Sequence, residues 1–401
     1  MEPKSPRRAE RPAMDFSASP EYQLNPFPYY ERMRETAPVY YDEQSGSWHV
    51  FRYDDVQRAL SEYATFSSHM GGDDASGTGQ LFSLSLIATD PPRHRQLRSL
   101  VTQAFTPKAV DALAPRIAGL TDELLEGIAD RGSADLIKAL AYPLPVIVIS
   151  ELMGIPAQDR ERFKRWSDVI VSQTRAGSAS EDHTAANMEM TEYFLALIDE
   201  RRSRPGQDLI STLLAAEIDG QKLTVPELLG FCALLLVAGN ETTTNLIGNA
   251  VLCLAENPGT MERLLREPAL IPQTIEEVLR FRSPVQSMYR LTVAETTLGD
   301  EVIPAGAPIV AWIGSANRDE RQFQRPAEFD VDRGHNRHLA FGHGIHFCLG
   351  APLARLEARI VLEALLARLP GLSLEQGVHL ERMDSTIVYG VKALLVSWQP
   401  A

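Results

Sequence analysis

The sequence predicts a mainly α protein with a minor β part, folded as one large domain. Three observations predict it. Apolar residues recur at helical spacing along much of the chain, as in Val110, Leu113, Ile117, Leu120 and Leu124. Strand-like runs are confined to residues 39–53 and to the region after Pro284. No stretch of the 401 residues has the composition of an interdomain linker.

The elements follow in order. Residues 1–20 are basic and proline-containing with no apolar centre, which predicts a disordered tail and not a signal peptide. Residues 21–401 then form the domain. Residues 39–53 read as a hairpin around Ser45-Gly46. Residues 71–80, GGDDASGTGQ, read as a flexible loop. An amphipathic helix is predicted over 107–129, with others over 159–173, 184–203, 207–218, 226–256, 259–266 and 271–282. Beyond Pro284, strands are expected around Gly299-Asp300 and Gly306. An irregular segment (318–340), a strong helix (349–369) and a strand-like tail (386–398) complete the chain.

Composition narrows the function. With 39 basic and 53 acidic residues, the net charge is −14, which argues against nucleic-acid binding. Cys232, Cys253 and Cys348 form no CxxC pair, so no disulfide framework is expected and a reducing cytoplasm is. The longest apolar run, 228–238, is shorter than the ~18 residues of a membrane span, so no anchor is expected.

Two stretches carry chemistry. Residues 234–245, LLLVAGNETTTN, place Glu241 inside an otherwise apolar helix, where an uncompensated carboxylate is costly. Taken alone, this is a helix break with Asn240 or Thr242 as a new N-cap. The Thr242 hydroxyl can also return to the Ala238 carbonyl and bend the helix. The second stretch is 341–350, FGHGIHFCLG. Gly342, Gly344 and Gly350 allow positive φ and close approach of backbone to something bulky. The helix after Cys348 should lower the thiol pKa and favour the ligating thiolate. Taken alone, Cys348 is a small buried hydrophobe. With His335, His338, His343 and His346 nearby, a zinc site is an alternative.

Phe341, Gly344, Cys348 and Gly350, as FxxGxxxCxG before a helix, closely resemble the haem-binding loop of the soluble bacterial cytochrome P450 family. The resemblance runs from about Asn25 to the C-terminus and implies a single-domain cytochrome P450 fold. It also implies haem b as cofactor, with Cys348 as the thiolate ligand to iron, a donor that favours O–O cleavage. Glu277 and Arg280 match the family's ExxR pair, with Arg333 of the FxxPxxFDxxR segment as third member. His94, Arg98, Arg290 and His346 match its propionate contacts, and Phe341, Gly350 and Ala238 line the cofactor. Glu241 and Thr242 match its acid–alcohol pair, with Gly239 leaving room for dioxygen. The pocket is implied at Leu81, Ile87, Leu234, Val237, Val285, Met288 and Ile387.

The implied activity is hydroxylation of a lipophilic small molecule, such as a steroid, terpenoid, fatty acid or macrolide, using O2 and two electrons. No flavin or iron–sulfur module is recognisable in the sequence. Separate partners are therefore expected: a ferredoxin or flavodoxin with its NAD(P)H reductase, docking at Arg95, Arg337, Arg355 and Arg359. A cytoplasmic monomer is expected, with no nucleic-acid or membrane partner. The alternatives are a peroxide-driven haem peroxygenase, which the Glu241-Thr242 pair argues against, and a non-catalytic haem or zinc-binding protein.

Overall fold

The structure, a computed structural model, describes residues 24–69, 84–103, 105–166, 169, 181–217, 220–383 and 385–400. The predicted tail and the loop at 71–80 lie outside these residues.

Strands β1 (Val39–Asp42) and β2 (Ser47–Val50) form the predicted hairpin, turning through Gly46 at φ +64°. Strand β3 (Phe66–Ser67) follows, then β4 (Ser133–Asp135). The region after Pro284 supplies β5 (Met288–Thr292), β6 (Thr296–Leu298), β7 (Glu301–Ile303) and β8 (Pro308–Ala311). A five-stranded sheet runs β1-β2-β8-β5-β3, antiparallel except where β2 pairs with β8. The tail contributes β9 (Ser373–Leu374) and β10 (Leu395–Ser397), paired with β4. The rest of the expected C-terminal strand reduces to single bridges, Val285 with Val388 and Arg382 with Val391.

Helices make up most of the remainder, and the largest apolar core lies among them. The helix expected over 107–129 is two, Pro107–Asp111 and Ala114–Glu126. Pro115 explains the split, because it has no N–H to give the carbonyl four residues earlier. Helix Val225–Ala238 starts with a capping box between Thr224 and Glu227.

The helix expected over 226–256 is also two, Val225–Ala238 and Glu241–Glu256. Asn240 Nδ2 donates to the Leu236 carbonyl at 2.8 Å, and Thr242 Oγ1 donates to the Ala238 carbonyl at 2.6 Å. In each case a side chain reaches the carbonyl that the same residue's own N–H would take in an unbroken helix. Asn240 occupies the N-cap position of the second helix but makes no side-chain capping bond. Glu241 is the first residue of that helix and half-buried, so the positive helix end favours its charge. By length and composition, Val225–Glu256 could cross a membrane. Here Leu228, Phe231 and Leu236 of its first half and most of its second half are buried in the core.

Helix Ile271–Phe281 is tied to the irregular segment by one buried carboxylate. Glu277 receives two bonds from Arg280, both at 2.8 Å, one from Arg333 Nε at 3.1 Å, the Asp330 amide at 2.9 Å and Asn336 Nδ2 at 3.1 Å. Arg280 spends its remaining donors on the carbonyls of Asn317, Pro326 and Glu328. Arg333, which the resemblance implied as third member, thus lies within hydrogen-bond reach of Glu277. Glu277→Ala should cost about 3–5 kcal/mol in denaturant unfolding, because it strands two buried cations. Arg58→Ala, in an exposed pair with Glu62, should cost about 1 kcal/mol or less.

Candidate functional site

Residues 341–350 turn tightly before helix Ala351–Arg368. The Cys348 amide donates to the Phe341 carbonyl at 2.8 Å, closing the turn. Gly342 and Gly344 have φ of +73° and +69°. A Cβ on Gly344 would fall 2.8 Å from Cα of Ser61, so backbone passes backbone where no side chain fits.

Burial pushes the Cys348 thiol up, while the amides of Gly350 and Ala351 and the charges of Arg98 and Arg355 act the other way. This corrects the expectation from the sequence: the helix terminus favours thiolate, but loss of water outweighs it. A bound metal cation would supply the missing charge, because a coordinating thiol is deprotonated outright.

Above the thiol lies a cavity of about 250 Å³. Its wall combines Cys348, Phe341, Gly350, Arg98 and His346 with Ala238, Gly239 and Thr242 from the broken helix. Ile87, Leu234, Val285 and Met288 of the expected pocket are there too, with Leu86, Phe105, Phe231 and Leu246. The structure therefore brings the two chemical stretches of the sequence to one cavity. It does not place every expected residue on the wall. Val237 packs against the helical core, and Ile387 gives its carbonyl to the Gln286 amide at 2.7 Å. Leu81 lies outside the described residues.

A basic cluster stands at the cavity edge. His94 and Arg290 are buried, and the rings of His94 and His346 have centroids 4.4 Å apart. Burial and the neighbouring charges of Arg290, His94 and Arg98 push His346 down to about 3. Burial lowers Arg290 to about 10, with Asp90 opposing. His94 Nε2 is buried without a hydrogen-bond partner. Two arginines, Arg98 and Arg290, beside an orphaned histidine nitrogen fit an anionic ligand. The two propionates of haem are such a ligand, and the cavity above the half-buried Cys348 thiol fits its ring.

Several contributors escaped the sequence reading. Asp90 accepts the Ser68 amide at 3.0 Å and the Ser67 hydroxyl, and Ser68 Oγ pairs with His346 Nε2 at 2.9 Å. Glu276 takes a bidentate bond from Arg355, at 2.6 and 2.8 Å, and meets His338 Nε2 at 3.2 Å. Arg355 also covers the Phe341 ring, 4.5 Å from its centroid. No spacing rule marks these residues, since each partner lies far away in sequence. They also revise two expectations. Arg355 is neutralised by Glu276 and Arg359 pairs with Glu363, which leaves Arg95 and Arg337 as the exposed members of the expected patch. The histidines of the zinc alternative diverge, His338 toward Glu276 and His346 toward Ser68.

The family model for cytochrome P450 matches residues 29–388. The chain belongs to the cytochrome P450 family. It is 45% identical over 378 residues to a putative cytochrome P450, YjiB, of Bacillus subtilis, covering 93% of each chain. It is 42% identical to the erythromycin C-12 hydroxylase of Saccharopolyspora erythraea, covering 91% of this chain and 92% of that one. Among solved structures, CYP109E1 from Bacillus megaterium in complex with testosterone superposes with a TM-score of 0.88 at 44% identity, covering 95% of this chain and 100% of that one. This P450 is accordingly a monooxygenase whose cofactor is thiolate-ligated haem b.

The Glu276 brace predicts an acid limb of stability. Burial raises its carboxyl, but bonds from Arg355 and His338 outweigh that and hold it at about 2, against an ordinary 4.5. Its contribution is complete above pH 4.5 and is lost as pH falls toward 2. Glu276→Gln should flatten urea-unfolding stability across that window by on the order of 1–2 kcal/mol.

Proposed function

We propose that this P450 hydroxylates a steroid-sized lipophilic molecule, with O2 as oxidant and two electrons from a separate ferredoxin or flavodoxin and its NAD(P)H reductase. One observation carries the reading: a single, largely apolar cavity joins Cys348 to the break at Gly239 and Thr242. Support for the substrate class comes from the apolar side chains Leu86, Ile87, Phe231, Leu234, Val285 and Met288, and from the testosterone complex of CYP109E1.

Haem bound here would supply the activation of O2 and the oxidation of a substrate C–H bond. Cys348 would hold it from below, and His94, Arg98, Arg290 and His346 would take its carboxylates. Phe341 and Gly350 would bound the ring on the Cys348 side, and Ala238 on the other. Gly239 carries no side chain toward the cavity and keeps space for a diatomic molecule. Thr242 Oγ1 now donates to the Ala238 carbonyl. Turned inward, the same hydroxyl presents its proton to the cavity. Glu241, half-buried at the adjacent position, can pass protons from solvent by rotating or through water. The apolar wall excludes bulk water and orients the substrate.

The reduced, carbon-monoxide-treated protein should show the strongly red-shifted Soret band of thiolate haem, and Cys348→Ala should lose it. A band at the ordinary position of histidine-ligated haem would overturn the assignment. Thr242→Ala should retain haem and substrate binding yet release most reducing equivalents as peroxide, read by peroxide assay against NAD(P)H consumed. Tight coupling in that variant would remove Thr242 from the proton route. A spin-state titration with testosterone against a macrolide tests the substrate class.

A further inference from the structure

Part of the cavity wall is built from irregular backbone. Residues 284–288 supply Pro284, Val285 and Met288, and the short helix Ile313–Ala316 supplies Ile313. Neither piece is long enough to fix its own position. Both are held by one residue that does not line the cavity, Gln286, which is fully buried.

Gln286 uses its main chain and both ends of its side chain. Its amide donates to the Ile387 carbonyl at 2.7 Å, and its carbonyl accepts the Gly314 amide at 3.0 Å. Its Nε2 donates to the Ser283 carbonyl at 2.7 Å. Its Oε1 accepts the Tyr30 hydroxyl at 3.0 Å. Tyr30 belongs to helix Phe27–Thr36 and packs with Phe51 and Trp312 in a separate core cluster. The Gln286 side chain also fills the space over Gly314. A Cβ there would lie 2.1 Å from Oε1, and the next atoms it would meet are Cδ and Nε2 of the same side chain.

An apolar side chain of this size would fill the volume but could not set a register, because apolar contact is non-directional. A buried amide with directed partners fixes distances, and losing one partner is costly. We propose that Gln286 is a specificity-determining positioning residue. Braced by Tyr30 and seated on Gly314, it sets how far Val285, Met288 and Ile313 stand into the cavity. It thereby selects which C–H bond of the substrate is presented for oxidation, since a displacement of about 1 Å is enough to disturb a productive pose. The proposal rests on the reading of this cavity as the substrate site.

Two azoles test it in the haem-loaded protein without turnover. Imidazole and 4-phenylimidazole both bind iron through nitrogen, but only the second carries a ring that must find room against the wall. Gly314→Ala should change the ratio of their affinities by about fivefold or more, because the new methyl displaces Gln286. In the Gln286→Ala background the same substitution should add nothing, the side chain it strikes being gone. Tyr30→Phe deletes only the bond to Oε1 and should also move the ratio; it carries the test if Gln286→Ala fails to fold. A merely structural role would lower the urea midpoint of these variants and leave the ratio at the intact value. That result, or an equal effect of Gly314→Ala in both backgrounds, overturns the proposal. In turnover, Gly314→Ala and Tyr30→Phe should redistribute the hydroxylated products of testosterone, and an unchanged distribution in both would also overturn it. If the intact protein leaves testosterone untouched, the substrate class falls, and the azole ratios still decide the role of Gln286.

Discussion

A carboxylate taken out of water must be surrounded by donors, and Glu277 meets that demand with Arg280, Arg333, Asn336 and the Asp330 amide. Much of the site depends on this one group. The segment from 318 to 340 has almost no regular structure of its own, yet it must deliver the cysteine loop to a fixed place. The backbone carbonyls of Asn317, just before it, and of Pro326 and Glu328 within it are gripped by Arg280, so the ion pair acts as the segment's scaffold. Successive helix residues point about 100° apart. Glu276 therefore faces elsewhere, where it holds His338 and Arg355. Two neighbouring carboxylates on one helix thus fix both the approach to the cysteine loop and the helix that follows it.

On the opposite wall, the break between Val225–Ala238 and Glu241–Glu256 is held open by side chains. Asn240 and Thr242 satisfy the carbonyls of Leu236 and Ala238, so a gap in the helix does not leave those acceptors stranded. Read alone as sequence, the alternatives were an N-cap or a hydroxyl returning to Ala238. The structure combines them: Asn240 holds the N-cap position without capping, and the Thr242 hydroxyl takes the carbonyl. Within LLLVAGNETTTN, Glu241 and Thr242 are therefore half-exposed at a helix start, while Asn240, Thr243, Thr244 and Asn245 are buried.

Features were legible in the sequence where the chemistry is local. The glycine spacing before Cys348, the ExxR pair and the threonine beside an acid all sit within a few residues of their partners or match a family pattern. The hairpin turn at Gly46 was legible for the same reason. The split at Pro115 was present in the sequence but was masked by the apolar period running through it. Hidden features depend on packing between distant segments. Asp90 with Ser68 and His346, Glu276 with Arg355, and Gln286 with Tyr30 have no sequence signature. The direction of the Cys348 shift was missed likewise, because burial is a property of the whole fold.

Cys348, held by the glycine turn and the braced segment behind it, carries the metal of this P450. Iron-edge X-ray absorption of the purified haem-loaded protein tests it directly. One sulfur scatterer should be bonded to iron in the intact protein and absent in Cys348→Ala. A first shell of nitrogen and oxygen alone in the intact protein would contradict it.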